Sequence, residues 1–352
     1  MKHILVVFTG GTIGSIASAG TINTCGASAY KLIELFEQQA CYQQQIRFTT
    51  CQPLQILSEN LAPTVWQTVI AAIEEQQPER FDGIIITHGT DTLAYTAAAL
   101  SFYYNALNIP LLLVSSDYPL DDARANGLSN FICAVEFIQQ NIRAGVFVPY
   151  RNQGQITHMH QGSRLTCSLQ LTGDFFSVQG YSFMQFDNRT FTRIKSSSEP
   201  IPGKKSGEGW VTGNTQTKIP HLEADFSARI LMIKPYPGLN YDSFNLDQVD
   251  AVLHDLYHSG TACASTAWGD HYSLSAFIAR CEKQAIKVYL APAIQSIDAY
   301  QSTKVLIEQG ATMIWNMSIE AAYVKLMLAY GNFKDERQIL AFMAMDVAGE
   351  HI

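Results

Sequence analysis

The chain carries little charge for its length: 15% of its 352 residues are Asp, Glu, Lys or Arg, with a formal balance of -8. No run of Lys and Arg interleaved with aromatics offsets that balance, so phosphate backbones and anionic lipid are repelled. Neither nucleic acid nor a membrane surface is an expected partner. No segment approaches the roughly 20 apolar residues needed to cross a bilayer. The apolar start MKHILVVF stops at a glycine turn after Phe8, too short for the core of a secretory leader and lacking a small-residue cleavage site. There is no CxxC pair. The seven cysteines, Cys25, Cys41, Cys51, Cys133, Cys167, Cys263 and Cys281, are odd in number and scattered, which fits reduced thiols better than a disulfide frame. A cytoplasmic location is the expectation.

Metal-ligating patterns are equally thin. His254 and His258 are spaced as on one helical face, and His158 and His160 are two apart, but neither pair has an obvious third ligand. Surface or hydrogen-bonded core histidines are expected, with no metal and no cofactor. Internal repeats and low-complexity tracts are also missing. What remains is a hydrophobic fraction of 47%, enough to build substantial cores. At this length two α/β domains of unequal size are the natural arrangement.

In the first half, β-branched runs alternate with helical periodicity. Strands are expected at His3 to Phe8, Arg47 to Thr50, Gly83 to Thr87, Pro110 to Ser115 and Ala144 to Pro149. Between them Ala29 to Gln39, Thr64 to Gln76, Thr92 to Tyr104 and Gly127 to Gln140 repeat apolar residues at three and four. This pattern predicts a doubly wound, mostly parallel sheet with right-handed crossovers covering both faces. From Ser196 to Thr217 the sequence turns polar and rich in Gly, Ser, Pro and Lys, as an exposed connection does. The expected organisation is therefore a domain over 1–195, a linker over 196–225 and a smaller α/β domain over 226–352. In the latter, strands at Ala228 to Ile233, Ala251 to Leu253, Lys287 to Leu290 and Thr312 to Ile314 alternate with helices at Ser273 to Lys283, Ala299 to Gln309 and Ile319 to Tyr330. The apolar stretch Trp315 to Tyr330 fits a core helix or an interface.

Two expected strands end in similar turns. His3 to Phe8 runs into Thr9-Gly10-Gly11-Thr12-Ile13-Gly14, and Gly83 to Thr87 runs into His88-Gly89-Thr90-Asp91-Thr92. The carboxyl ends of parallel strands are where open sheets bind ligands. Glycines there let backbone N–H groups approach a ligand or a developing oxyanion, and small hydroxyls are presented without bulky neighbours. The first turn lacks both the GxGxxG spacing and a following GK[ST], which argues against nucleotide phosphate. Either turn alone could hold ordinary turn threonines; the two together point to chemistry.

TGGTIG at Thr9 to Gly14 and HGTDTLAYTAAALSF at His88 to Phe102 resemble the two signature segments of the bacterial-type L-asparaginase and glutaminase-asparaginase family. Ser58-Glu59-Asn60, upstream of Trp66, is similar to that family's substrate-binding segment. Gly162-Ser163-Arg164-Leu165-Thr166 with Thr172-Gly173-Asp174-Phe175-Phe176 resembles the stretch carrying its catalytic lysine, and Tyr236-Pro237-Gly238 matches a turn of its C-terminal domain. The resemblance implies that Thr12 is a nucleophile toward a side-chain carboxamide. Thr90 is then the second threonine of the site, aligning water or relaying a proton. Asp91 receives the substrate's α-ammonium group, Ser58 and Glu59 grip the amino-acid head group, and backbone N–H groups near Gly11 or Gly89 hold the oxyanion. The implied partner is a small amino-acid amide, and the implied assembly is a homodimer or homotetramer.

The sequence departs from the family at three places. The lysine position is Cys167; a thiol with an ordinary pKa of about 8.5 beside a carboxylate tends to stay protonated and is a poor base. The loop tyrosine position is Thr21, or Cys25 in a shifted alignment, with Tyr30 a further candidate beside a plain packing role. Gly260-Thr261-Ala262-Cys263-Ala264 replaces a Gly-x-Gly-Asn type of loop. Losing two acid–base groups, each worth about a hundred- to ten-thousand-fold, predicts slow hydrolysis of asparagine itself. Three readings stay open: catalysis assisted by other groups such as His158, His160 or Arg164, or by the amine of a different substrate; amide binding without turnover; and acyl transfer through Cys167, Cys25 or Cys263.

Overall fold

The computed structural model describes residues 1–18, 21–24, 26–39, 46–194, 219–296 and 298–352. The polar connection expected at 196–217 and the alternative loop residue Cys25 lie outside these residues. The chain divides into two compact units, Met1–Pro220 with Val347–Gly349, and His221–Asp346 with Glu350–Ile352.

The first unit is built on an eight-stranded sheet. Its parallel part contains β1 (Lys2–Phe8), β4 (Ile46–Cys51), β5 (Gly83–Thr87), β6 (Pro110–Val114) and β7 (Gly145–Arg151). A short hairpin, β2 (Ser15–Ser18) with β3 (Thr21–Thr24), follows β1. Three further strands, β8 (Thr157–Gln161), β9 (Met184–Asp187) and β10 (Thr190–Arg193), add antiparallel to β7 in turn. Hairpins and antiparallel edges were not expected from the sequence. Segments such as THMHQ and TFTR are short and mostly polar, so they show no apolar run, and antiparallel strands need only one buried face.

Helices α1 (Gly26–Glu37), α2 (Pro63–Glu75), α3 (Leu93–Tyr103) and α4 (Gly127–Gln139) connect the parallel strands. Every residue of β5 and β6 is buried, as strands covered on both faces must be. Alternate residues Ile4, Val6, Phe8, Ile85, Leu112 and Val114 pack on one face with Leu32 and Phe36 of α1 and Phe131 and Phe137 of α4. The opposite face carries α3, of whose eleven residues nine are buried. That explains why its sequence is apolar all round rather than striped.

The sheet order is β10-β9-β8-β7-β6-β5-β1-β4. The chain leaves β1 for β4 on one side and then returns to β5 on the other, so the winding direction reverses between β1 and β5. In open α/β sheets the crevice outside the carboxyl ends of such a strand pair is the favoured ligand site. Both glycine-containing turns leave the sheet at that reversal.

The second unit has four parallel strands in the order β11 (Ile230–Ile233), β12 (Ala251–Asp255), β13 (Lys287–Ala293) and β14 (Thr312–Trp315). Its helices are α5 (Leu274–Glu282), α6 (Gln301–Glu308), α7 (Ile319–Asn332) and α8 (Glu336–Ala344), the last not expected from the sequence. His254 lies on β12 and not on a helix, because Val252, Leu253 and His254 pair in register with β11 and β13. Its Nε2 meets the Tyr241 hydroxyl at 2.7 Å, and burial lowers its pKa to about 4. The α7 stretch is a core helix: Ala321, Ala322, Val324, Leu326 and Leu328 are buried. Within it Lys325, fully buried, donates from Nζ to Glu350 Oε1 at 2.5 Å and to the carbonyls of Met343 and Met345. Among the described residues no helix is long and apolar enough to cross a membrane.

Candidate active site

The turn after β1 is held by its neighbours on both sides. Thr9 N–H donates to Thr87 Oγ1 at 3.2 Å, and Thr9 Oγ1 donates to the Thr87 carbonyl at 2.5 Å, tying the ends of β1 and β5 together. On the other side Ile56 N–H donates to the Thr9 carbonyl and Gly11 N–H to the Ile56 carbonyl, both at 2.9 Å. Gly11 has φ +76°, a left-handed conformation that favours glycine. A Cβ at Gly11 would also lie 2.4 Å from the Gly89 nitrogen. The two turns therefore touch backbone to backbone, and Thr12 and Thr90 each directly follow a glycine of that contact. Thr12 opens a single 3-10 turn, Thr12–Gly14, and both threonines are half-buried.

Ser58 enters from a third direction, in a 3-10 turn that precedes α2. A Cβ at Gly89 would lie 2.3 Å from Ser58 Oγ, so the absence of a side chain at 89 is what admits the serine. Ser58 Oγ accepts the Asp91 N–H at 3.2 Å and lies 3.5 Å from Asp91 Oδ2. Thr92 Oγ1 donates to the Ser58 carbonyl at 3.0 Å. Asp91 and Glu59 are exposed while Ser58 is buried. A carboxylate open to solvent, beside a buried hydroxyl and two half-buried threonines, suits an amine-bearing polar ligand. A crevice of about 10 Å³ lies against the β1 turn, lined by Phe8, Gly10, Ile13, Gly14, Leu32, Gln52, Gln55 and Thr87. It has room for one water and is not lined by Thr12, Ser58, Thr90 or Asp91.

Cys167 is half-buried and carries a thiol rather than half of a disulfide. It follows Thr166, whose N–H and Oγ1 both donate to the Phe176 carbonyl, at 3.0 and 2.9 Å. The segment leading to it lies on α3, where a Cβ at Gly162 would be 2.7 Å from Ser101 Oγ. Of Thr21 only the backbone, in β3, is described. Tyr30 packs its ring 5.5 Å from that of Phe8. His158 Nδ1 meets Ser182 Oγ at 2.7 Å and His160 Nδ1 meets Ser177 Oγ at 2.8 Å. Burial lowers the pKa of His160 to about 3. Arg164 Nε donates to the Gly349 carbonyl at 2.5 Å.

The contact joining three residues, His88, Thr96 and Trp66, had no signal in the sequence. His88 Nδ1 lies 2.7 Å from the Gly89 carbonyl, its Nε2 lies 2.9 Å from Thr96 Oγ1, and Thr96 Oγ1 lies 2.9 Å from Trp66 Nε1. All three side chains are buried, and burial lowers the His88 pKa to about 4. They come from the β5 turn, α3 and α2, with no spacing that would announce a contact.

The family described as "Asparaginase, N-terminal" matches residues 3–190, more than half of the chain. Among curated proteins, a glutamyl-tRNA(Gln) amidotransferase subunit of Methanococcus maripaludis is 27% identical over 99% of this chain and 81% of its own length. The protein of the same name from Saccharolobus solfataricus is 26% identical over 84% of this chain and 64% of its own length. Among solved structures, the thermostable L-asparaginase from Thermococcus kodakarensis superposes with a TM-score of 0.77 at 24% identity, covering 99% of both chains. L-asparaginase I from Vibrio cholerae does so with a TM-score of 0.73 at 23% identity, covering 100% of this chain and 99% of its own. These likenesses carry the fold across both units. With the family match extending over the two strand-end turns, the Ser58 turn and the strands that place them, the chain belongs to the asparaginase family.

Proposed function

We propose that this chain is an amidohydrolase that cleaves the side-chain carboxamide of a small amino-acid amide. Thr12 Oγ attacks the carboxamide carbon, its proton passes to the leaving nitrogen, and ammonia departs from an ester-linked acyl-enzyme. Water aligned at Thr90 then releases the acid and restores the hydroxyl. Asp91 takes the substrate's α-ammonium group, with Ser58 and Glu59 at the head group, and backbone N–H groups of the Gly11 and Gly89 turns receive the oxyanion. The observation that carries this reading is the backbone contact of Gly11 with Gly89, with Ser58 Oγ wedged against Gly89 and hydrogen-bonded to Asp91. Relatives named as asparaginases and as components of an amidotransferase support a reaction at an amide. We place the protein in the cytoplasm as a homo-oligomer; the thiols of Cys51, Cys133, Cys167, Cys263 and Cys281, none of them in a disulfide, suit a reducing compartment.

A second reading, amide binding without turnover, is favoured by one observation: Cys167 stands where the family resemblance expects a lysine. The two readings separate in one assay. Ammonia release is measured with asparagine, glutamine and short asparaginyl peptides, for the native chain and Thr12→Ala. Release that Thr12→Ala abolishes supports hydrolysis. Thermal stabilisation by an amide with no ammonia from any of them supports binding alone.

A further inference from the structure

The buried contact between Trp66, Thr96 and His88 has a direction that both of its ends impose. An indole N–H can only donate and a carbonyl oxygen can only accept. Trp66 Nε1–H therefore donates to Thr96 Oγ1, and at the other end only an N–H on His88 Nδ1 can meet the Gly89 carbonyl. The neutral ring then has its lone pair at Nε2, which accepts the single proton of the Thr96 hydroxyl. A single neutral tautomer satisfies the whole row, and the opposite tautomer would set the Nδ1 lone pair against the Gly89 carbonyl oxygen. Burial keeps the ring neutral at physiological pH.

The Gly89 carbonyl belongs to the same peptide plane as the Thr90 N–H. In a trans peptide these two groups point in opposite directions. Drawing the carbonyl toward His88, on the α3 face of the sheet, turns the Thr90 N–H away from that face. Gly89 itself is pinned between Gly11 and Ser58, so the orientation of this plane is the freedom still to be removed.

We infer that the Trp66–Thr96–His88 relay is a positioning device that locks the Gly89–Thr90 peptide, and that His88 acts through this plane without touching substrate. The kinetic consequence rests on the amidohydrolase reading; the structural one does not. Loss of the lock lets the plane rock, misplacing Thr90 and its N–H by a fraction of an ångström to an ångström. That reduces turnover by about 10- to 100-fold, with little change in KM because the Ser58–Asp91 contact is untouched.

Thr96→Val removes the hydroxyl at nearly constant volume, and Thr96→Ser retains it. Nitrogen-15 NMR of labelled histidine and threonine reads the His88 tautomer and the Thr90 amide, alongside kcat and KM for ammonia release. The native chain and Thr96→Ser are expected to show the Nδ1–H tautomer between pH 6 and 8. Thr96→Val is expected to show mixed tautomers, a displaced Thr90 amide and the loss in kcat. Ser101→Ala, which removes the Ser101 hydroxyl bonded to the Ala97 carbonyl within the same helix, supplies a control with local destabilisation and an unmoved Thr90 amide. An Nε2–H tautomer in the native chain overturns the inference. So does a Thr90 amide unmoved by Thr96→Val. If the native chain releases no ammonia, hydrolysis is refuted, and the tautomer and the Thr90 amide still decide the relay.

Discussion

Gly89→Ala tests the convergence at the site through sterics alone. The added methyl would lie 2.3 Å from Ser58 Oγ and 2.7 Å from Ser58 Cβ, whereas its next neighbour, Gly11 Cα, is at an ordinary 3.4 Å. Ser58 is thus the main obstacle, and because its Cβ is involved a rotamer change cannot relieve the clash. Overpacking of this kind costs about 1–3 kcal/mol. Ser58→Gly removes both offending atoms and by itself costs about 1 kcal/mol through the lost hydrogen bond to Asp91 and added chain freedom. In the double variant the methyl has room, so the penalties are not additive: the pair should be more stable than the sum predicts by about 1–2 kcal/mol. Denaturant unfolding of the four proteins measures that coupling. Additivity within about 0.5 kcal/mol would mean that residues 58 and 89 are not in contact, and the site geometry would be wrong. Gly11→Ala provides the contrast. Its obstacles are the backbone of Gly89 and His88 and its own φ of +76°, so no side-chain substitution should rescue it.

Replacing Lys325 by Met takes the cation away from the buried Glu350 carboxylate and should cost about 3–5 kcal/mol, much of it recovered by a second, apolar substitution at Glu350; equal stability of Lys325→Met and the native chain in urea would contradict the buried pair. Acid should destabilise the protein before most carboxylates titrate. His88 and His254, lowered to about 4, and His160, lowered to about 3, stay neutral when folded, whereas unfolded histidine takes up a proton below about pH 6.5. The unfolded state therefore binds more protons between pH 6.5 and 4, so stability falls as pH falls, by about 2 kcal/mol per histidine at pH 5. A melting temperature unchanged from pH 7 to 5 would refute this. Cys167→Lys should raise amide hydrolysis on the order of 10²-fold, and no gain in kcat would mean that this position does not serve the reaction.

The parallel framework was legible because buried strands write themselves as apolar runs: KHILVVF, GIIIT and PLLLV could hardly be anything else. The site turns were legible for a related reason. Glycines crowded at a strand end add no apolar side chain to the core, and at Gly11 and Gly89 they let the backbones and Ser58 come close. The antiparallel edge β8 to β10 and helix α8 were not read, since each is short and only half buried. His254 and His258 mimic helical spacing by coincidence, and only pairing with β11 and β13 reveals the strand. The relay beneath the site had no signal, because His88, Thr96 and Trp66 meet through packing of two helices on the sheet.

Thr12 Oγ, the hydroxyl following the Gly11–Gly89 contact, should form a covalent bond to the substrate during turnover. Acid quenching during turnover of asparagine or an asparaginyl peptide, followed by peptide mass analysis, tests it directly. An acyl group is expected on the peptide containing Thr12, and Thr12→Ala should abolish it. An adduct on Cys167 or another thiol, or turnover that survives Thr12→Ala, would contradict it.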